Sequence, residues 1–218
     1  MGVLIAFPRG HGVDKARQKG QHEQIGIHLV SSFHFQTDGL HENLQHQLCR
    51  PHGLRHAREL MTSSNPFPAD PDRSAIWTML VERDIAAFVA ADWSLVDGDF
   101  VKDGFLGIDG GKSGNPDKWR ISFPTLEAYR DDWLRQAKAS QALDYAEDVL
   151  AGIHRATSLN EIEINGDIAI AHKKFDGEIA LSDGGKDVLN WQTLYFCRKV
   201  GGVWKLTGFA GYLPYPMG

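Results

Sequence analysis

The sequence predicts an α+β domain in which helices pack in the concave face of a strongly bent, mainly antiparallel sheet. Three observations carry this reading. Apolar residues recur at helical spacing after Asp70 and again after Pro124, whereas from Val149 onward the pattern turns strand-like. Two glycine-containing signals, Asn165-Gly166 and Gly201-Gly202, each join two long strand patterns as a hairpin. Helices followed by four long strands in meander order then require the sheet to wrap around the helices.

The first helix begins where Asp70 or Asp72 can cap and Pro71 suits the opening turn. Ile76, Trp77, Leu80, Val81, Ile85 and Phe88 form its apolar stripe, which reads as core. Asp84 either caps a second short helix through Ala91 or lies within a continuous one. Asp92 to Asp97 reads as a short strand, and 97–124, rich in Gly and Asp, as a long loop holding one irregular hairpin. Thr125 then caps a helix with Leu126, Tyr129, Trp133, Leu134 and Ala137 on one side.

Four strands follow, over 149–164, 168–181, 190–200 and 203–212. A two-residue turn at Asn165-Gly166 opposes Ile162 to Ala169. One face of that hairpin holds His154, Ala156, Ile162, Ile164, Ala169, Ala171 and Phe175; the other holds Arg155, Leu159, Glu161, Ile168, Ile170 and His172. In the last hairpin, Gly201-Gly202 pairs Val200 with Val203, Cys197 with Leu206, Tyr195 with Gly208 and Trp191 with Tyr212. That register groups Trp191, Tyr195, Cys197, Trp204, Leu206 and Tyr212 on one face and Leu194, Phe196 and Phe209 on the other.

Composition narrows the function. The 218 residues carry a net charge of −5, which argues against an electrostatic nucleic-acid binder. No apolar run reaches the length of a membrane span. Two cysteines, Cys49 and Cys197, build no disulfide framework and suit a reducing compartment, so a cytoplasmic location is expected. Eight of the ten histidines lie between His11 and His56 without apolar periodicity, so 1–60 reads as a poorly structured extension to a domain over 61–218. Met61 is a plausible natural start. His46, Cys49, His52 and His56 have ligand-like spacing but lack the ordered pattern of a zinc module, so no metal and no cofactor is expected. Gly107 to Ser113 ends like a phosphate-binding loop, but Leu106 stands where that motif requires glycine.

Asp84 with Ala87-Phe88 and Asp92, His154-Arg155-Ala156-Thr157 ahead of Asn165-Gly166-Asp167-Ile168-Ala169, and Gly202-Val203-Trp204-Lys205-Leu206 together carry a resemblance. From about Ser74 to Tyr212 the chain resembles the nuclear-transport-factor-2-like superfamily and is most similar to its SnoaL-like branch. The resemblance implies a cone-shaped α+β barrel, usually a homodimer, with a pocket between helices and sheet. Its members include ketosteroid isomerases, polyketide cyclases, dehydratases and noncatalytic binders.

The candidate catalytic residues are Asp97, His154 and Tyr195. Asp97 ends the run Asp92-Trp-Ser-Leu-Val-Asp97, which resembles the run holding the isomerase base; beside apolar walls its basicity would rise. His154 has a near-neutral intrinsic pKa, and Tyr195 is a donor for a developing oxyanion. Trp93, Trp191, Tyr212 and Trp77 are the candidate pocket walls, while Cys197 reads as a small core residue. The expected ligand is a small apolar or carbonyl-containing molecule, acted on by a cofactorless isomerase, cyclase or dehydratase or simply bound. The outer patch of Leu194, Phe196 and Phe209, with a polar surround, predicts a homodimer through the outer sheet face.

Overall fold

The computed structural model describes residues 63–217, so the boundary at Met61, the histidine-rich extension and its metal-like spacing lie outside the described residues. Helix α1 (Pro71–Trp77) starts with the Asp70 carboxylate accepting from the Arg73 amide. It runs through a π-helical turn (Thr78–Arg83) into α2 (Asp84–Ala90), so the helix continues rather than restarting at Asp84. Helix α3 (Leu126–Gln141) is capped by Thr125, and α4 (Val149–Ala156) precedes the long strands.

The sheet comprises β1 (Leu106–Asp109), β2 (Arg120–Phe123), β3 (Thr157–Asn165), β4 (Ile168–Ala180), β5 (Lys186–Val200) and β6 (Val203–Leu213). Its order is β2-β1-β6-β5-β4-β3. Strands β3 to β6 form the expected antiparallel meander. The Gly- and Asp-rich segment supplies the irregular hairpin β1–β2, whose first strand runs parallel to β6. The inner face of this curled sheet packs on the helices around one core that includes Ile76, Trp77, Leu80, Trp133, Ile179 and Leu206. Polar ties fix the helical layer to the sheet: Trp204 Nε1 donates to Asp72 at 2.8 Å, and Arg73 Nε donates to the Ile162 carbonyl at 2.9 Å. Among the described residues no helix is long and apolar enough to cross a membrane.

Several expected elements differ, each for a local reason. Val149–Ala156 is a helix because Asp148 accepts from the Ala151 amide and its buried residues, Ile153 and Ala156 among them, turn to one side. His154 is therefore helical, not a strand residue. In place of a strand over Asp92 to Asp97 there are two 3₁₀ turns, Trp93–Leu95 and Asp97–Asp99, the first started by the Asp92 carboxylate accepting from the Ser94 amide. The β3–β4 turn uses Gly166 (φ 60°) as its first central residue. Ile162 consequently pairs with Ala171 rather than Ala169. A shift of two keeps the faces unchanged. A separate irregularity between Ser158 and Glu161 turns Leu159 inward, where it is fully buried.

The last hairpin departs most. Its glycine turn and its first pairs, Val200 with Val203 and Cys197 with Leu206, follow the expected register. Then Phe196 meets Gly208, so Thr207 is an extra residue in β6 and Gly208, Phe209 and Ala210 change face. Tyr195 pairs with Phe209 instead of Gly208, and Phe209 is buried in the core rather than on the outer patch. A second irregularity at Tyr212 (φ 50°) lets Gln192 meet Leu213, so Trp191 and Tyr212 are not the expected pair. The first bulge also brings Gly208 against β1, where an added Cβ would stand 2.2 Å from the Leu106 carbonyl oxygen. Gly208→Ala is expected to force β1 and β6 apart and destabilise the domain by about 2 kcal/mol. Urea unfolding checks this as a lowered midpoint with unchanged slope.

Candidate functional site

Six elements, α2, α3, α4, β4, β5 and β6, enclose a cavity of about 120 Å³ between the inner sheet face and the helices. Helix α2 contributes Asp84, Ile85 and Phe88, and α3 contributes Tyr129, Trp133 and Gln136. Strands β4 and β5 add Lys173, Phe175, Thr193 and Tyr195, and β6 adds Phe209 and Tyr212. Rings make most of the wall: Phe175 stacks on Trp191 at 4.4 Å, Tyr129 meets Phe209 edge-on at 4.9 Å, and Phe88 meets Trp133 edge-on at 5.6 Å. A volume near that of a benzene-sized void limits the occupant to about one ring. Asp84, Tyr129 and Tyr195 also border a second space of about 10 Å³.

The polar side chains are few and tightly held. Lys173 is fully buried; its ammonium donates to the Leu80 carbonyl at 2.5 Å and to Asp84 Oδ2 at 2.9 Å, and lies 4.9 Å from the Phe175 ring centroid. Asp84 keeps 27% of its side chain accessible, so its charge is shared between the buried ammonium and the open space. Gln136 grips the Tyr212 hydroxyl with Nε2 at 2.7 Å and Oε1 at 3.0 Å. Burial pushes the Tyr129 and Tyr195 phenols well above their ordinary range, and neighbouring charges, Asp84 among them, add to the rise. The Thr193 hydroxyl works in the opposite direction on Tyr195. Both phenols are thus protonated donors at neutral pH.

The sequence-derived candidates are distributed unevenly. Tyr195, Trp191 and Tyr212 line the cavity. Asp97 does not: it accepts from Trp93 Nε1 at 3.1 Å, has a 48% exposed side chain and faces Lys102 at 3.9 Å. His154 is buried in α4, where its ring and carbonyl meet Ser63, and burial followed by the Lys173 charge lowers its pKa. Trp93 stands behind the wall, stacked on Phe100 at 4.9 Å and edge-on to Trp133 at 5.3 Å. Trp77 is core. Asp97, His154 and Tyr195 are therefore not brought to one cavity. Cys197 is buried, and that burial pushes its thiol to about 12.

Sequence reasoning missed Asp84 and Lys173 as site residues. A lysine at an inner-facing position of β4, between Ala171 and Phe175, was the available signal, because an unpaired charge is not buried there. Among the described residues no group of three or more His, Cys, Asp and Glu side chains converges as a metal site would require.

No family model matches the chain, and no curated protein matches it. Similar solved structures include an NTF2-like protein of unknown function from Pseudomonas putida KT2440, 16% identical over 66% of this chain and 87% of that one, with a TM-score of 0.44. A ketosteroid isomerase-like protein from Erwinia carotovora atroseptica SCRI1043 is 16% identical over 65% and 95%, with a TM-score of 0.40. An NTF2-like protein of unknown function from Shewanella baltica OS155 is 14% identical over 64% and 91%, with a TM-score of 0.39. These likenesses concern fold, and the α+β architecture itself is read from the strand order and the helices on the inner face. Likenesses this distant carry no argument about activity.

The phenols generate a pH prediction. Tyr129 and Tyr195 are raised well above 10, and Tyr145 and Tyr212 to about 12, by burial first in every case. An acid raised in the folded state stays protonated while the unfolded chain ionises, so the unfolded chain binds fewer protons and stability falls as pH climbs past the unfolded phenol value. The urea midpoint should be lower at about pH 11 than at about pH 8, with phenolate absorbance appearing together with unfolding. Phenolate absorbance that develops fully before unfolding would contradict it.

Proposed function

We propose that the protein binds a small, mainly apolar molecule carrying a carbonyl group and moves a proton on it without a cofactor. The observation that carries this reading is the convergence on one ring-lined cavity of a carboxylate, Asp84, and two protonated phenols, Tyr129 and Tyr195. In this mechanism Asp84 takes a proton from the carbon beside the carbonyl. The developing enolate oxygen accepts a hydrogen bond from Tyr195 or Tyr129, which apolar walls strengthen by excluding water. Asp84 then returns the proton to the same or a neighbouring carbon, giving exchange or isomerisation; where a β leaving group is present the enolate expels it instead, and the proton held by Asp84 passes to the departing group.

Hydrogen–deuterium exchange of cyclohexanone, cyclohex-2-enone and acetophenone in D₂O, followed by NMR, tests it. Acceleration by the unmodified protein is expected for at least one ketone, falling about 100-fold in Asp84→Asn and less in Tyr195→Phe. A second reading, noncatalytic binding, is favoured by the satisfied state of Lys173 and of the Gln136–Tyr212 pair. Binding of the ketones without accelerated exchange would decide for it.

We also infer a homodimer through the outer sheet face, without Phe209. Support comes from an apolar row crossing four strands: Ile170 on β4 opposes Phe196 on β5, Phe196 opposes Gly208 on β6, and Gly208 opposes Leu106 on β1. Ile170, Phe196 and Leu106 are 46%, 38% and 40% exposed, and Ile168 nearby is 64% exposed. A row of this kind suits a self-complementary contact. Phe196→Glu should give a monomer, since the carboxylate would lose water without a partner. Light scattering checks this, and an unmodified protein already monomeric at tens of micromolar would contradict it.

A further inference from the structure

The geometry points to Lys173 as a positioning residue that clamps one oxygen of Asp84 and so presents the other to the occupant of the cavity. This rests on the reading of Asp84 as the group that meets the ligand. The first observation is the π-helical turn. In a regular α-helix the Asp84 amide would donate to the Leu80 carbonyl four residues earlier. Here it donates to the Met79 and Val81 carbonyls instead, and the Leu80 carbonyl accepts from the Lys173 ammonium at 2.5 Å. A single-turn π segment inside a helix is the kind of local irregularity that commonly accompanies functional sites.

The second observation is how completely the ammonium is engaged. It has three protons and no accessible surface. One proton goes to Leu80, one to Asp84 Oδ2 at 2.9 Å, and the Phe175 ring lies 4.9 Å away on the cavity side of β4. An ammonium anchored on a main-chain carbonyl is a fixed point, so the carboxylate bound to it loses the freedom to rotate. Asp84 Oδ1 accepts no hydrogen bond among the described residues, and Asp84 lines the cavity. The fixed carboxylate therefore offers one acceptor in a defined direction to a ligand O–H or acidic C–H. Without Lys173 the same carboxylate could rotate about its terminal bond and would face two ways.

Phenol and toluene test this, because they share a shape and differ in one hydroxyl. The unmodified protein is expected to prefer phenol relative to Asp84→Asn by roughly tenfold, the scale of a hydrogen bond to a charged acceptor, read by quenching of the tryptophans around the cavity. Folded Lys173→Met should lose most of that preference while toluene affinity stays close to the original, a split that a merely structural role would not produce. For any ketone that exchanges, the same variant should lower kcat more than it raises KM. Lys173→Gln is the second variant, since its amide can still donate to Leu80. A folded Lys173→Met or Lys173→Gln protein with its phenol preference intact would overturn the inference. So would a phenol preference in the unmodified protein that Asp84→Asn leaves unchanged, whatever the two lysine variants do. Neither probe is turned over, so failure here leaves the proton-transfer reading standing, and absence of ketone exchange leaves this one standing.

Discussion

Burying the Lys173 ammonium is the constraint on which the rest of the site depends. An ion taken out of water loses several kcal/mol of hydration, which only close opposite charge and hydrogen bonds offset. Here the compensation comes from two places at once: the Asp84 carboxylate and a main-chain carbonyl released by the π turn. The helix therefore has to be irregular at that level, and β4 has to face it in one register. A slip of one residue would carry Lys173 to solvent and leave Asp84 and Leu80 without their partner. The pair thus ties the α1–α2 helix to β4, one strand in from the β3 edge of the sheet, at one point along each.

The cavity depends on a second constraint, the bulge at Thr207. Without it Phe209 would face outward, and the inner face beside Tyr195 would carry Gly208. With it, Phe209 meets Tyr129, Tyr195, Phe105 and Phe123 and closes the aromatic wall. Gly208 moves to the outer face, where the absence of a side chain lets β1 approach and extend the sheet. One inserted residue therefore sets both the wall of the cavity and the attachment of the edge hairpin. The irregularity at Tyr212 continues the effect by placing its hydroxyl on Gln136 of α3.

The elements that were legible in the sequence are those specified locally. Asp70 and Thr125 cap the helices they were expected to cap, and Gly201-Gly202 turns the hairpin it was expected to turn, because a carboxylate, a hydroxyl or a positive φ acts over three or four residues. The α4 helix was missed for the same kind of reason. A segment of eight residues whose apolar positions are Val149, Leu150, Ala151, Ile153 and Ala156 fits a buried strand and a buried helix equally well by periodicity. Of the site, Tyr195, Trp191 and Tyr212 were legible as large polar-tipped rings on inward strands. Asp97 and His154 drew attention through their residue types, which say nothing about the direction in which a side chain points.

By itself the sequence determined the helices that open at Asp70 and Thr125, the meander of four long antiparallel strands, and the presence of aromatic side chains enough to line a pocket. Each follows from period, cap or turn, which neighbouring residues dictate. Tertiary structure alone decided which carboxylate reaches the cavity, where the bulges fall, and that a lysine is buried beside Asp84. The lysine–carboxylate pair turns on a contact between residues 89 positions apart, Lys173 with Asp84. The energies behind these outcomes come from desolvation and packing, which exist only once the sheet has closed over the helices.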